Sequence, residues 1–252
     1  MNIKVKNLSK TFGKQIVFSD LNFELTNGET YCLLGKNGAG KTTLINIIIK
    51  LLKPDSGVIF YDKTSYSNLP VDIKRRMGVL SEDNPIIEEL TARQFLKLSG
   101  GLYKMDSGTI EQRTNDLLSW FFDHPEEVRD KRLSGFSTGM KKKIGLIAAV
   151  LHTPDLLILD EPFSGLDPLA ARQCVDFINV YRNVHRTIFL SSHDLGYVEQ
   201  VATQVIVLDQ QNFTFNGTLN DLIANGSSHH INSALLELLQ PEGQKNVKPE
   251  WL

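Results

Sequence analysis

One eight-residue segment constrains the fold of this chain more than any other feature. It reads Gly35-Lys36-Asn37-Gly38-Ala39-Gly40-Lys41-Thr42 and fits the phosphate-binding pattern G-x-x-x-x-G-K-[ST]. Glycines let several backbone N–H groups approach phosphate oxygens, the lysine adds positive charge, and the threonine hydroxyl can bind Mg²⁺. An apolar strand precedes the loop, and a helix expected over residues 41–52 directs its positive end at the anion. The segment therefore predicts a nucleotide-binding α/β domain.

Apolar segments and helical patterns alternate along the rest of the chain. Residues 21–25 alternate between apolar and polar before Asn27-Gly28, and residues 30–34 follow, so we expect two strands around a tight turn. Further strands are expected at residues 58–61, 156–159, 187–190 and 205–208, with helices at about 168–183 and 194–202. This alternation favours a mostly parallel sheet with both faces covered.

The pattern also predicts the domain organisation. From about residue 85 to 131 the apolar positions follow helical spacing without a clear strand, so we expect a helical insert at about 85–135 within an ATPase domain over 1–225. A short C-terminal extension over 226–252 is expected to follow. Within it we expect a surface loop at His229 and His230 and a loose polar tail after Pro241.

Composition excludes some functional classes. The formal net charge is −2, which argues against a nucleic-acid-binding surface because such domains are usually strongly basic. The two cysteines, Cys32 and Cys174, lie in apolar segments and are expected to be buried free thiols, which suits a reducing cytosol. No apolar run approaches the roughly 20 residues that span a bilayer, and we expect no signal peptide. If the protein acts at a membrane, another chain supplies the membrane part.

A second chemically active segment ends the strand expected at 156–159. Asp160 and Glu161 follow that strand directly. Asp160 could hold Mg²⁺ through a water, and Glu161 could act as general base or orient the attacking water. Charges that merely terminate a strand are a common alternative, but the position before Pro162 and the segment Ser164-Gly165-Leu166-Asp167 favours the catalytic interpretation.

Together these segments resemble the ATPase subunits of ATP-binding-cassette (ABC) proteins over residues 1 to about 220. Asp160-Glu161-Pro162 resembles the Walker B segment of that family, and Ser164-Gly165-Leu166-Asp167 resembles its D-loop. His193 matches the switch histidine that senses the γ-phosphate. The resemblance implies a P-loop NTPase fold of the ABC type, with a mostly parallel core sheet flanked by helices, an antiparallel β subdomain and a helical insert. It also implies ATP and Mg²⁺ as cofactors.

The signature segment of the family has two possible registers here. Leu133-Ser134-Gly135 resembles the start of L-S-G-G-Q, whereas Phe136-Ser137-Thr138-Gly139-Met140 resembles a variant of it. Ser137 lies 23 positions before Asp160, as the signature serine of the family does, so we assign Ser137 and Gly139 to the site. A helix is expected to begin after Gly139 and to direct its N-terminus at a partner's γ-phosphate. The run Lys141-Lys142-Lys143 either adds positive field there or forms a solvated helix face.

Two positions depart from the commonest pattern of the family. Glu82 replaces the Q-loop glutamine; it keeps an oxygen ligand for Mg²⁺ but adds a negative charge. Phe12 replaces the adenine-stacking tyrosine, and it either stacks through its ring face or belongs to the core.

The predicted site has three groups of residues. The catalytic residues are Lys41, Glu161 and His193. The nucleotide contacts are Phe12, Gly35, Asn37, Gly38, Ala39, Gly40, Lys41, Thr42, Thr43 and Asp167, with Ser137 and Gly139 acting in trans. The metal ligands are Thr42, Glu82 and Asp160.

The resemblance implies a subunit that hydrolyses ATP to power a membrane transporter, and the branch it is most similar to exports drugs, lantibiotics or antimicrobial peptides. The implied partners are a second ATP-binding subunit, either a copy or a paralogue, and a separate permease that holds the chain at the cytoplasmic face of the membrane. No nucleic acid is expected. The alternative is a soluble ABC ATPase of the iron–sulphur-cluster assembly type, but its L-S-G-G-E signature is missing. A nucleotide switch without turnover would lack Glu161 or His193, and both are present.

Overall fold

The computed structural model describes residues 1–65, 67, 70–225 and 231–239. The loop expected at His229 and His230 and the tail expected after Pro241 lie outside these residues. Two β-sheets organise the described part of the chain. None of the helices in it has the length and apolar character needed to cross a bilayer.

The first sheet is antiparallel and has the strand order β2-β1-β4-β5. Its strands are β1 (Ile3–Phe12), β2 (Gln15–Leu25), β4 (Ser56–Tyr61) and β5 (Thr64–Ser65). Buried and exposed residues alternate along much of β1 and β2, as expected for a sheet with one covered face and one solvated face. This sheet is the predicted antiparallel β subdomain.

The second sheet has six strands in the order β10-β9-β3-β8-β7-β6. They are β3 (Thr30–Leu34), β6 (Met77–Leu80), β7 (Leu156–Asp160), β8 (Thr187–Ser191), β9 (Gln204–Asp209) and β10 (Asn212–Thr218). Five of them are parallel, and β10 joins the edge antiparallel to β9. Every residue of β3, β7 and β8 is buried, because both faces of this sheet are covered. Cys32 and Cys174 are buried free thiols, as predicted, and burial raises the pKa of Cys174 to about 12.

The helices of the described residues are α1 (Lys41–Ile48), α2 (Val71–Lys74), α3 (Ala92–Leu102), α4 (Ser107–Phe121), α5 (Pro125–Arg129), α6 (Thr138–Val150), α7 (Pro168–Tyr181), α8 (Leu195–Val201), α9 (Leu219–Asn225) and α10 (Ile231–Leu239), with a 3₁₀ turn at Leu133–Gly135. The predicted helical insert corresponds to α3, α4 and α5. A capping box at Thr91 and Gln94 begins α3, and Asp106 caps α4, so local chemistry fixes both helix starts.

The structure corrects three expectations. The strands on either side of Asn27-Gly28 do not pair with each other, because β2 belongs to the antiparallel sheet and β3 to the parallel one; the turn transfers the chain between sheets. Helix α1 ends at Ile48 rather than near residue 52, since Lys50 takes a left-handed φ of 64°. Helix α6 begins at Thr138, before Gly139 rather than after it, because Ser137 caps it.

Candidate active site

A single cleft gathers most of the predicted residues. It has a volume of about 580 Å³ and lies where α1 begins. Its lining residues are Phe12, Gln15, Ile16, Val17, Asn37, Gly38, Ala39, Gly40, Lys41, Thr42, Thr43, Glu82, Glu161, Gln210 and Gln211. The phosphate-binding loop, the Walker B glutamate and the Q-loop position therefore meet in one place, although they are far apart in sequence.

The loop between β3 and α1 depends on glycine at two tight positions. A Cβ on Gly35 would lie 2.4 Å from the carbonyl oxygen of Leu208, so no larger residue fits there without a backbone shift. Gly40 has a φ of 105°, and its Cβ would lie 2.6 Å from Cγ1 of Val17. Both positions therefore require glycine, and the loop leads directly into the N-terminus of α1 at the cleft.

The ammonium group of Lys41 lies inside this loop. The side chain is buried, and its Nζ donates to the carbonyl oxygens of Gly35 at 2.9 Å and Lys36 at 3.4 Å. The same Nζ is 3.9 Å from Oε1 of Glu161. A buried cation held by its own loop and facing one carboxylate is suited to binding a polyanion.

Glu161 lies between Lys41 and His193. Its Oε2 is 2.8 Å from Nδ1 of His193, its backbone N–H donates to Oγ of Ser191 at 3.0 Å, and the residue is only 7% exposed. Its φ of 51° is left-handed, which is uncommon for a residue with a Cβ. An unusual backbone conformation therefore presents this carboxylate to the cleft beside a histidine.

The predicted metal ligands are only partly in one place. Oγ1 of Thr42 donates to Oε2 of Glu82 at 3.5 Å. Asp160 is buried at the end of β7, where it accepts a short hydrogen bond from Oγ of Ser191, and it does not line the cleft. All these groups offer oxygen, the donor that Mg²⁺ prefers, so the residues fit that ion.

Phe12 projects at the edge of the cleft instead of entering the core. It is 51% exposed and lines the opening beside Gln15 and Ile16. The Nζ of Lys10 lies 5.2 Å from the centroid of the Phe12 ring, a distance at which the two groups make a cation–π contact. Of the two interpretations left open by the sequence, the core position is wrong, and stacking on a base stays a prediction.

Ser137, Gly139 and Asp167 do not line this cleft. Oγ of Ser137 accepts from the backbone N–H of Met140 at 3.2 Å as the N-cap of α6. A Cβ on Gly139 would lie 3.4 Å from Leu166, so the signature segment packs beside the D-loop. Asp167 caps α7 through a 2.9 Å bond from the N–H of Ala170, and this bond holds the pKa of its carboxyl below the usual value.

The three lysines at the start of α6 do not act together, either as a source of positive field at the signature or as a solvated helix face. Lys141 pairs with Glu88 at the surface. Lys142 is buried and bonds two backbone carbonyls, and Lys143 reaches the carbonyl of Phe121 and the side chain of Gln173. Only the first of the three conforms to a solvated face.

The cleft is also lined by residues that no sequence motif indicates. Gln15, Ile16 and Val17 come from the start of β2, and Gln210 and Gln211 follow β9. A signal existed for the second group, because ligands of parallel sheets bind beyond the carboxyl ends of the strands. The sequence predicts strand β9, but no motif marks the two glutamines that follow it.

Comparison with known proteins identifies the family. The sequence model described as "ABC transporter" matches residues 18–164. An uncharacterised ABC transporter ATP-binding protein of Nostoc sp. is 32% identical over 228 residues, which cover 89% of this chain and 64% of that protein. The bacitracin transport ATP-binding protein BcrA of Bacillus licheniformis is 35% identical over 212 residues, or 82% of this chain and 67% of that one.

Solved structures agree with these relatives. The structure described as the ATP-binding subunit of an ABC transporter superposes with a TM-score of 0.85 at 32% identity and covers 94% of this chain and 99% of its own. The dimeric cassette MJ0796 shares the fold, with a TM-score of 0.77 at 23% identity over 86% of this chain and 98% of its own.

Proposed function

Because this chain belongs to the ABC transporter family and is an ATPase of that family, we propose that it powers a membrane exporter as a pair of copies that close on ATP. The observation that carries this proposal is the placement of Lys41 and Glu161 in one cleft beside the glycine loop, with His193, which lies outside the lining of that cleft, bonded to the Glu161 carboxylate. The transport role of the bacitracin relative supports export and disfavours the soluble iron–sulphur-assembly alternative.

The residues in and around the cleft would have different roles in ATP hydrolysis. The glycine loop and Lys41 would hold the triphosphate, and Phe12 would stack on the adenine. Thr42, Glu82 and Asp160, the last through water, would hold Mg²⁺, which when bound neutralises charge on the phosphate oxygens.

Glu161 and His193 would carry the chemical step. Glu161 would orient a water and take its proton while the water oxygen attacks the γ-phosphorus and the bond to the bridging oxygen breaks, releasing ADP. His193, bonded to the same carboxylate, would fix its direction and contact the γ-phosphate.

The position of the signature supports the pairing of two copies. Ser137 caps an α-helix of 13 residues whose N-terminus is a favourable anion site, yet Ser137 lies outside the cleft of its own chain. A head-to-tail arrangement would place Ser137 and Gly139 of one copy over the γ-phosphate held by the other. ATP would then join the copies, and hydrolysis would release them.

A groove beside Glu82 supports a membrane partner. About 310 Å³ in volume, it lies between β6, α3 and α6, and it is lined mainly by apolar residues that include Leu51, Val79 and Phe95. Leu51 and Leu102 line it while 75% and 73% exposed, and exposed apolar residues that group in one groove are typical of a contact site. We assign this groove to a helical cytoplasmic segment of the permease. Docking of that segment would then affect Glu82 at the neighbouring Q-loop position.

We expect the double variant Leu51→Glu/Leu102→Glu to lose the membrane partner while keeping MgATP affinity within about threefold, because two buried carboxylates would oppose docking. The tagged full chain would be purified from its native membranes, and the co-purifying multi-helix membrane protein quantified. Val184→Glu, at a 74% exposed valine outside the groove, is the matched control. Equal recovery of the membrane protein with both variants would contradict the assignment, and recovery of soluble partners alone with the wild type would contradict the transport function.

A further inference from the structure

Lys142 is the one member of the lysine run whose side chain is buried. It is 6% exposed, on the first turns of α6, five positions after Ser137. Burial lowers the pKa of its ammonium, while the charge of Glu161 opposes that shift. A cation is kept in such a place only if acceptors replace its lost water.

The acceptors of Lys142 are backbone carbonyls of the active site. Its Nζ donates to the carbonyl oxygen of Glu161 at 2.6 Å and to that of Ser164 at 3.0 Å. Glu161 has the left-handed φ of 51°, and Ser164 begins the segment that leads to Asp167. One ammonium therefore holds the strained turn that sets where the Glu161 carboxylate points.

We propose that Lys142 is a positioning residue for ATP hydrolysis, which fixes the backbone of Glu161 so that its carboxylate stays between Lys41 and His193. The proposal rests on the ATPase function of the cleft. The hydrogen bonds of the Lys142 ammonium go to the carbonyls of Glu161 and Ser164 and not to the glycine loop, so its loss affects the chemical step and leaves nucleotide binding in place. A displacement of about 1 Å at a catalytic group can reduce the rate about a hundredfold.

Lys143 offers a matched control on the same helix. It also makes two hydrogen bonds within the protein, to the carbonyl of Phe121 at 2.9 Å and to Oε1 of Gln173 at 2.7 Å. Both acceptors lie outside the residues that line the cleft. Removal of Lys143 therefore costs comparable hydrogen bonding without changing the support of Glu161.

The test compares wild type, Lys142→Met, Lys142→Arg and Lys143→Met in the full-length chain, with kcat and KM for MgATP and with MgATP affinity measured by calorimetry. We expect Lys142→Met to lower kcat by about tenfold to a hundredfold, with KM and affinity within about threefold. Lys142→Arg should recover part of the rate, because a guanidinium can donate to both carbonyls. Lys143→Met should stay within about threefold of the wild-type kcat.

Two outcomes would overturn the proposal. Neither would contradict the ATPase function, provided that the wild type hydrolyses ATP. One is a loss of kcat in Lys142→Met no larger than in Lys143→Met. The other is a parallel loss of kcat and MgATP affinity, which would indicate general damage to the fold. If Lys142→Met is insoluble, Lys142→Gln, which keeps a shorter donor, is judged by the same criteria.

Discussion

Glu161→Gln is expected to reduce ATP hydrolysis by about 10²- to 10⁴-fold, the contribution of general base catalysis by one positioned group. The amide keeps the size of the side chain and can still bond Nδ1 of His193, which lies 2.8 Å from the carboxylate, but it cannot take a proton from water. Affinity for MgATP should change by less than about threefold, since the phosphate-binding loop is untouched. Phosphate release and calorimetry on the purified variant measure the two quantities.

Glu199→Gln provides the control for that experiment. Glu199 is exposed on α8 and is outside the lining of the cleft, so the same chemical change should leave turnover unaltered. A Glu161→Gln variant that retains a tenth or more of the wild-type rate would show that the base lies elsewhere.

Lys41→Ala should raise the dissociation constant for MgATP by about 10²- to 10⁴-fold. The buried ammonium would make at least two charge-assisted bonds to phosphate oxygens, each contributing about 1.5–3 kcal/mol. In the free protein the same group donates to the carbonyls of its own loop and faces Glu161 at 3.9 Å. Calorimetric titration with MgATP at constant ionic strength gives the affinity directly.

Lys36→Ala tests whether this loss is specific to Lys41. Lys36 belongs to the same loop, but its side chain is largely exposed and lies 3.9 Å from Asp209. An ammonium that is exposed to water contributes only about 0–1 kcal/mol to a contact with an anion, so the affinity for MgATP should fall by less than about tenfold. If both variants bind MgATP as tightly as the wild type, the triphosphate is not held by this loop.

Much of the fold could be predicted because the strongest patterns are local. The strand at residues 156–159, the loop from Gly35 to Thr42 and the helix after it each follow from short segments, and the structure confirms them as β7, the loop after β3 and α1. The separation of β2 from β3 could not be predicted, since β3 pairs with β8 and β9, which are distant in sequence.

The candidate site likewise combines features that depend on local sequence with features that depend on contacts between distant residues. Residues of one motif, such as Lys41 and Thr42, were found from their spacing, and Glu161 was found from its place at a strand end. The burial of Asp160 behind Ser191 and the attachment of Lys142 to the Glu161 carbonyl depend on side-chain contacts across 31 and 19 positions. No periodicity in the sequence encodes such contacts.

The most direct test of the paired ATP site is the mass in solution of the Glu161→Gln variant. With saturating MgATP the variant should behave as a dimer, since γ-phosphates that are not hydrolysed join Ser137 of each copy to the cleft of the other. With MgADP, or without nucleotide, it should be a monomer. A Glu161→Gln protein that binds MgATP yet remains monomeric at saturation would contradict the proposal that one copy completes the site of another.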